Sequence, residues 1–346
     1  METKCRGNRN IVPFIDKPLQ FTFDLLFKNL SKPSLHVMPK LTNKYSSGPQ
    51  RVNVSTPVKD ILFLLKRDGG VIIEKHVNQE VIDQAYTEIL PRLEQDKPWD
   101  GKFFPGETRR APGMNAYSPT FTGKMLMHPL YQSVVNHFLS TTNSFWWGED
   151  RRTHVAKPQV SACTAFQVGP GAKDQQIHRD DYIFHNAHSE ISEWNDERDL
   201  NGRESAVGVF VAGVKTTKAN GATRFIPGSH LWGNEQKPNE EDCFYAELAP
   251  GDAFFMLASC YHGGSANTTK DEWRLVYGTF CTRGFLRQEE NQYLTIPEEV
   301  IKAKDQSTQK LLGWGLSDPM MGWVNFEDPM KLLHPNDFKS GPTDLY

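Results

Sequence analysis

Apolar residues keep a helical spacing in the first part of the chain and change to short runs in the rest. Ile61, Leu62, Leu64 and Leu65 form one stripe, which predicts a helix with Thr56 as N-cap, Pro57 at the first position and Gly69-Gly70 as the stop. Val71-Ile72-Ile73 reads as a short buried strand. Asn78 caps a second predicted helix, in which Val81, Ile82, Ala85, Ile89 and Leu93 recur on one face. A third starts at His128 or Pro129 and carries Leu130, Val134, Val135, Phe138 and Leu139. Residues 1–50 are polar and irregular and read as an N-terminal arm. Residues 97–122 hold repeated Pro and Gly, the aromatics Phe103, Phe104, Tyr117 and Phe121, and the pair Arg109-Arg110, so they read as one long loop.

From Pro158 the runs are strand-like: 160–168, 207–214, 223–226, 253–257 and 273–281. Gly169-Pro170-Gly171, Pro227-Gly228, Pro250-Gly251-Asp252 and Gly263-Gly264 supply turns between or beside them. The expected fold is mainly β with flanking helices: a jelly-roll, cupin-like barrel whose core spans about 158–285 in one domain, 51–346.

Composition narrows the function. A net charge of −3 over 346 residues leaves no global basic footprint for nucleic acid or an anionic membrane. No apolar run reaches transmembrane length, and Met1 to Arg6 lack the apolar core of a signal peptide. The five cysteines lack CxxC spacing, so buried thiols in a reducing, cytoplasmic setting are expected. The tail Asp344-Leu345-Tyr346 is not a Ser-Lys-Leu address.

The chemistry centres on Gln175-Gln176-Ile177-His178-Arg179-Asp180-Asp181. On an extended backbone His178 and Asp180 point to the same face. A catalytic metal needs a third protein ligand, and His262, after the apolar run Ala253–Leu257, is the candidate. Two histidines and a carboxylate form the facial triad of non-haem Fe(II) oxygenases. Eleven histidines give a His-x-Asp/Glu pattern several chances to arise. His188-Ser189-Glu190 has the same form but sits in a polar stretch without strand periodicity. Arg274 interrupts the next apolar strand and needs a partner. Asp252 or Glu247 could serve, but a carboxylate cosubstrate suits a guanidinium better. Thr223, in Asn220-Gly221-Ala222-Thr223-Arg224-Phe225, could offer its hydroxyl to the same carboxylate. His230, after a Pro-Gly turn, reads as a hydrogen-bonded structural residue.

The order QxxHxD, NGATRFIPGSH, PGDAFFMLASCYHGG and WRLVYGTF resembles the phytanoyl-CoA dioxygenase family of Fe(II)/2-oxoglutarate oxygenases, in its branch that tailors fungal secondary metabolites. The loop FFPGETRRAPGMNAYSPTF and the segment from Gly313-Trp314-Gly315 to Gly322-Trp323-Val324 are also similar. The resemblance covers about residues 56–330. It implies a double-stranded β-helix, with Fe(II), 2-oxoglutarate and O2 as cofactors and His178, Asp180 and His262 on iron. It places Arg274, Thr223, Gln175 and Arg110 (or Arg109) near the cosubstrate. It further implies hydroxylation, desaturation or rearrangement of a small terpenoid, polyketide or alkaloid scaffold, with release of succinate and CO2, and a possible homodimer. An acyl-CoA or lipid hydroxylase, a nucleic-acid or protein demethylase and a non-catalytic cupin-like binding module are the alternatives.

Overall fold

The computed structural model describes residues 48–101 and 103–337. The expected N-terminal arm therefore lies almost wholly outside the described residues. Twelve strands are assigned: β1 Arg51–Asn53, β2 Gly70–Glu74, β3 Thr108–Pro112, β4 Thr141–Trp147, β5 Asp150–Ala156, β6 Gln159–Val168, β7 Ala206–Ala212, β8 Thr223–Phe225, β9 Phe244–Ala246, β10 Ala253–Leu257, β11 His262–Gly264 and β12 Arg274–Thr282. Seven form one large sheet in the order β1-β2-β10-β7-β12-β6-β3, antiparallel except for β1 with β2. A small sheet, β11-β8-β9, is extended by an isolated bridge between His178 and His262.

From β6 onward the chain alternates between sheets. β6 lies in the large sheet, His178 in the small one, β7 in the large, β8 and β9 in the small, β10 in the large, β11 in the small and β12 in the large. That path is the expected jelly roll. The two sheets stand as facing walls, and among the described residues no ladder closes them into a barrel.

Strand parity divides the apolar residues. Val71, Ile73, Val207, Val209, Val211, Ala253, Phe255, Leu257, Leu275 and Tyr277 face the helices in one core. Their neighbours Ile72, Ala212, Phe254 and Met256 face inward and pack with Phe225 and Ala246 of the small sheet. That second core fills one end of the space between the sheets and leaves the other end open.

The helices that cover the large sheet follow the predicted stripes. Val58–Asp68 begins with Pro57 at the cap, not Thr56. Thr56 instead closes a preceding turn, its amide donating to the Asn53 carbonyl at 2.9 Å. Gly69 ends the helix at φ 77°, where an added Cβ would also meet the His230 ring. Gln79–Gln95 is capped by Asn78, which accepts from the Val81 amide at 3.0 Å. Pro129–Leu139 is capped by His128. The segment 97–122 is less of a loop than expected. Thr108–Pro112 joins the large sheet as its edge strand, where a proline without an N–H is tolerated, and Met114–Tyr117 and Phe121–Leu126 are helical turns. The hairpin β4–β5 was not anticipated, although Trp147-Gly148-Glu149-Asp150 carries a turn signal with Gly148 at φ 61°.

His76 is buried under this helical layer, 3.9 Å from the His128 ring and edge-on to Phe255, and neither ring nitrogen has a partner. Burial, and then His128, pull its pKa down to about 3. Unfolded, it protonates near 6.5. Between these values only the unfolded chain binds the proton, so stability is lost as pH falls from about 6.5 and is unaffected above it, with a slope of about 1.4 kcal/mol per pH unit. His76→Phe should therefore flatten the loss of stability between neutral and mildly acid pH. Urea unfolding at several pH values measures this, and an unaltered slope would refute the assignment.

Candidate active site

His178 and His262 face each other across two backbone hydrogen bonds. The His178 amide donates to the His262 carbonyl at 2.9 Å, and the His262 amide returns to the His178 carbonyl at 2.8 Å. The pleat turns Asp180 to the same side, and its amide is held by the Ala258 carbonyl at 3.0 Å. Arg179, between them, points the opposite way. Its guanidinium donates to the Ser229 and Trp232 carbonyls at 2.9 and 3.1 Å and lies 4.3 Å over the Tyr261 ring.

One ligand atom from each of His178, Asp180 and His262 lies within 4.8 Å of the others. The two Nε2 atoms stand 3.4 Å from the two oxygens of Asp180. These distances are long for hydrogen bonds. They suit an octahedral edge, which is ~3 Å when bonds are ~2.1 Å. Each imidazole donates its Nδ1 proton to a carbonyl two residues upstream: His178 to Gln176 at 2.8 Å and His262 to Cys260 at 3.1 Å. This tautomer leaves both Nε2 lone pairs facing the shared point. One oxygen of Asp180 is buried without a hydrogen-bond donor. Burial alone would raise the Asp180 pKa, but His262 and then His178 outweigh it and hold the carboxyl well below its usual range. Burial lowers and Asp180 raises the His178 pKa, with a net rise. The donor set and the buried, unsatisfied oxygen fit a divalent cation.

Deeper between the sheets lies Arg274, 5% exposed, on β12 opposite Val168. It donates to the Gly221 carbonyl, and its Nε is buried without an acceptor. Burial lowers its pKa to about 10, so it remains a cation at neutral pH. Neither suggested carboxylate reaches it. Asp252 accepts from the amides of Lys75 and Ala249, both at 3.0 Å, and Glu247 accepts from the Lys218 amide at 2.7 Å. Thr223 pairs with Gly264 across β8 and β11 and lines the same cavity. Gln175 is clamped to Gly264: its amide donates to the Gly264 carbonyl at 2.9 Å, and its Oε1 accepts from the Gly264 amide at 2.9 Å. Arg224, on the outer face, ties the two strands by donating to the carbonyls of Gln175 at 2.7 Å and Gly264 at 3.0 Å.

These residues open onto one cavity of about 550 Å³ whose remaining wall is mainly aromatic: Trp99, Phe103, Phe104, Phe166, Phe210 and Phe280. Strand parity settles the arginine pair. Arg110 lines the cavity, while Arg109 stacks at 4.5 Å on Trp273. The Arg110 charge is already engaged, donating to Asp96 at 3.0 and 3.1 Å and to the Lys97 carbonyl at 2.7 Å. It also lies over Trp99 and Phe104, at 4.9 and 5.4 Å. It therefore tethers the aromatic segment, with its charge already paired to Asp96. His188 is excluded from the metal cluster by a buried contact with Asp181 at 2.5 Å. His230 is structural, its Nε2 donating to the Lys66 carbonyl at 2.9 Å. Glu289 and Glu290 also line the cavity and were missed by sequence reasoning, since nothing in Arg287-Gln288-Glu289-Glu290-Asn291 distinguishes them from a solvated turn.

Gly263 permits the close strand contact behind His178. A Cβ there would come within 3.2 Å of the Gln176 carbonyl oxygen, the acceptor that orients His178. Gly263→Ala should weaken divalent-metal affinity by about 10- to 100-fold, the usual cost of disturbing a ligand's own hydrogen-bond partner, while the protein still folds. Metal titration of the apoprotein checks this, and unchanged affinity would show that the contact does not orient His178.

The sequence profile of the family "Phytanoyl-CoA dioxygenase (PhyH)" matches residues 65–276. Dioxygenase himG of Aspergillus japonicus is 35% identical over 286 residues, covering 80% of this chain and 87% of its own. Dioxygenase peniF of Penicillium patulum is 36% identical over 296 residues, covering 84% and 95%. Dioxygenase cnsJ of Penicillium expansum is 34% identical over 284 residues, covering 81% and 83%. Among solved structures, the non-haem α-ketoglutarate-dependent epimerase SnoN from nogalamycin biosynthesis is similar at a TM-score of 0.49 and 17% identity, over 65% of this chain and 82% of that one. A profile match across more than half of the sequence, and relatives above 30% identity along most of their own length, mean that the chain belongs to the phytanoyl-CoA dioxygenase family and is a dioxygenase of its fungal branch.

Proposed function

We propose that the chain oxidises a small natural-product scaffold by hydroxylation, desaturation or rearrangement, with His178, Asp180 and His262 as the iron ligands and Arg274, Thr223 and Gln175 as the 2-oxoglutarate site. One juxtaposition carries the reading. A ligand cluster with a buried, donorless carboxylate oxygen shares its cavity with a buried arginine that has no carboxylate partner among the described residues. Fe(II), 2-oxoglutarate and O2 are the family's cofactors, and together they supply an oxidant able to take hydrogen from a C–H bond as succinate and CO2 are released.

The chain's own residues do the positioning. Arg274 offers a planar cation to the far carboxylate of the cosubstrate, with the Thr223 hydroxyl beside it. Gln175 and Gly264, clamped from outside by Arg224, fix the distance between that anchor and His262. Trp99, Phe103 and Phe104 line the cavity from the other side and offer apolar surface to a substrate. Phe103 approaches the His178 ring to 6.0 Å. Glu289 and Glu290 on the wall disfavour the phosphates of an acyl-CoA.

With iron and 2-oxoglutarate supplied in air, the protein should release succinate. Arg274→Ala should raise the 2-oxoglutarate requirement about 10- to 100-fold, the worth of a hydrogen bond to a charged group. An unshifted requirement would sink the cosubstrate assignment. His178→Ala and His262→Ala should each lose iron and turnover. His188→Ala should keep stoichiometric iron while losing about 3–5 kcal/mol of stability, because it leaves the buried Asp181 carboxylate with only a long contact from the Asn186 side chain at 3.4 Å. Iron loss in the His188 variant, with retention in the His178 variant, would move the site.

A further inference from the structure

The charged groups of the cavity are not evenly matched. Asp180 belongs to the ligand cluster, and Asp96 is held by Arg110. Glu290 accepts from the Gln292 side chain at 2.9 Å and from the Cys163 amide at 3.2 Å. Glu289 lines the same cavity, yet its carboxylate makes no ion pair or side-chain hydrogen bond among the described residues. With its cofactors in place, the centre itself is close to neutral. Two charges of iron and one of Arg274 stand against Asp180 and the two carboxylates of 2-oxoglutarate. Lys173 also lines the cavity, but neither Glu289 nor Glu290 has an ion-pair partner among the described residues, and Glu289 alone of the two lacks a side-chain hydrogen bond.

Its placement is built into the fold. β6 carries an extra residue where Cys281 pairs with Val160 and Phe280 with Ala162. That bulge frees Ser161, whose carbonyl accepts from the Glu290 amide at 2.9 Å and whose hydroxyl accepts from the Glu289 amide at 3.3 Å. The backbone of Glu289 is thus pinned to a strand of the cavity wall. Its pKa is raised by partial burial, then by Asp180 and Glu290, so no nearby charge offsets its own. Much of the rest of the wall is aromatic, with Lys173 its one further cation among the described residues besides Arg110 and Arg274, and the rings of Phe103, Phe166, Phe210 and Phe280 carry no stacked cation among the described residues. A carboxylate opposite aromatic faces is a receptor for a protonated amine.

We propose that Glu289 is a specificity-determining residue and that the substrate carries a basic nitrogen, its ammonium paired with Glu289 and its carbon skeleton laid against the aromatic wall. This deepens the oxygenase reading and rests on it. The test uses the full chain loaded with Fe(II) and 2-oxoglutarate without O2, so that binding is read apart from turnover. Two amine and alcohol pairs of matched shape serve as probes: benzylamine against benzyl alcohol, and tryptamine against tryptophol. At neutral pH at least one amine should bind about tenfold more tightly than its alcohol by calorimetry, at the low end for a hydrogen bond to a charged group. Glu289→Gln should erase that preference while the alcohol's affinity stays as it was. No preference in the unaltered protein, no amine binding, or a preference that survives in Glu289→Gln would each overturn the proposal. The visible band of the iron–2-oxoglutarate complex is recorded in the same samples. Its absence would count against the oxygenase reading, and its presence with no amine preference would count against Glu289 alone.

Discussion

The active centre depends on one reciprocal backbone pair, in which His178 and His262 exchange both hydrogen bonds. Two segments far apart in sequence are thereby fixed at the spacing of one strand pair, and their imidazoles are delivered to the same side before any side chain is considered. Asp180 follows from the pleat alone. A slip of one residue in this register would turn both His178 and Asp180 to the outer face and bring Arg179 inward. The chain resists that slip from outside, because the buried guanidinium of Arg179 is already held by the Ser229 and Trp232 carbonyls and the Asn234 side chain. The residue between His178 and Asp180 thus acts as the register lock for the pair.

The same parity explains why the fold contains a cavity at all. On β10 and β2 the inward residues Phe254, Met256 and Ile72 are large and apolar, and with Phe225 they close one end of the sandwich; the rings of Phe225 and Phe254 are 4.7 Å apart. On β6 the inward positions include Ala162 and Thr164, which are too small to bridge the sheets, and on β12 the first inward residue is Arg274. A buried guanidinium with an unsatisfied Nε costs stability. On the proposed reading that cost is offset only when a carboxylate enters, so the defect in the apo fold is a binding determinant.

Parity was legible in the sequence wherever apolar residues marked it. His-x-Asp, the helix stripes and the run before His262 all follow from spacing. The decoy His188 could be set aside because its surroundings lacked strand periodicity, and the structure supplies the physical reason in Asp181. Where polar residues hid the pattern, the reading failed. β3 alternates Thr108, Arg110 and Pro112 against Arg109 and Ala111, which does not look like a strand. It is one because it lies at a sheet edge, with β6 as its only neighbour in the sheet among the described residues. The choice between Arg109 and Arg110 needed that pairing. Pro57 stands at the cap in place of Thr56, whose amide closes a turn on Asn53.

Glu289 and Glu290 were invisible for a different reason. They lie beyond the last strand, and only the bulge at Ser161 brings them to the cavity. A bulge leaves little trace in a single sequence, since its cause is a mismatch in count between two strands 120 residues apart, not a residue type. Its consequence is large. β6 presents Phe166, Thr164 and Ala162 to the cavity and, through Ser161, carries the backbone of the acidic wall. β12, paired along β6, brings Arg274. The proposed anchor for the cosubstrate and the wall proposed to read the substrate are therefore mounted on one pair of strands, and the distance between them is fixed by a backbone ladder, not by mobile side chains. A change at Ser161 that straightened β6 would shift Glu289 relative to His178, Asp180 and His262 while leaving those three in register, because they are held by the His178–His262 bridge and the Ala258 carbonyl, away from β6. Substrate reading and metal binding can thus vary independently within the same sandwich.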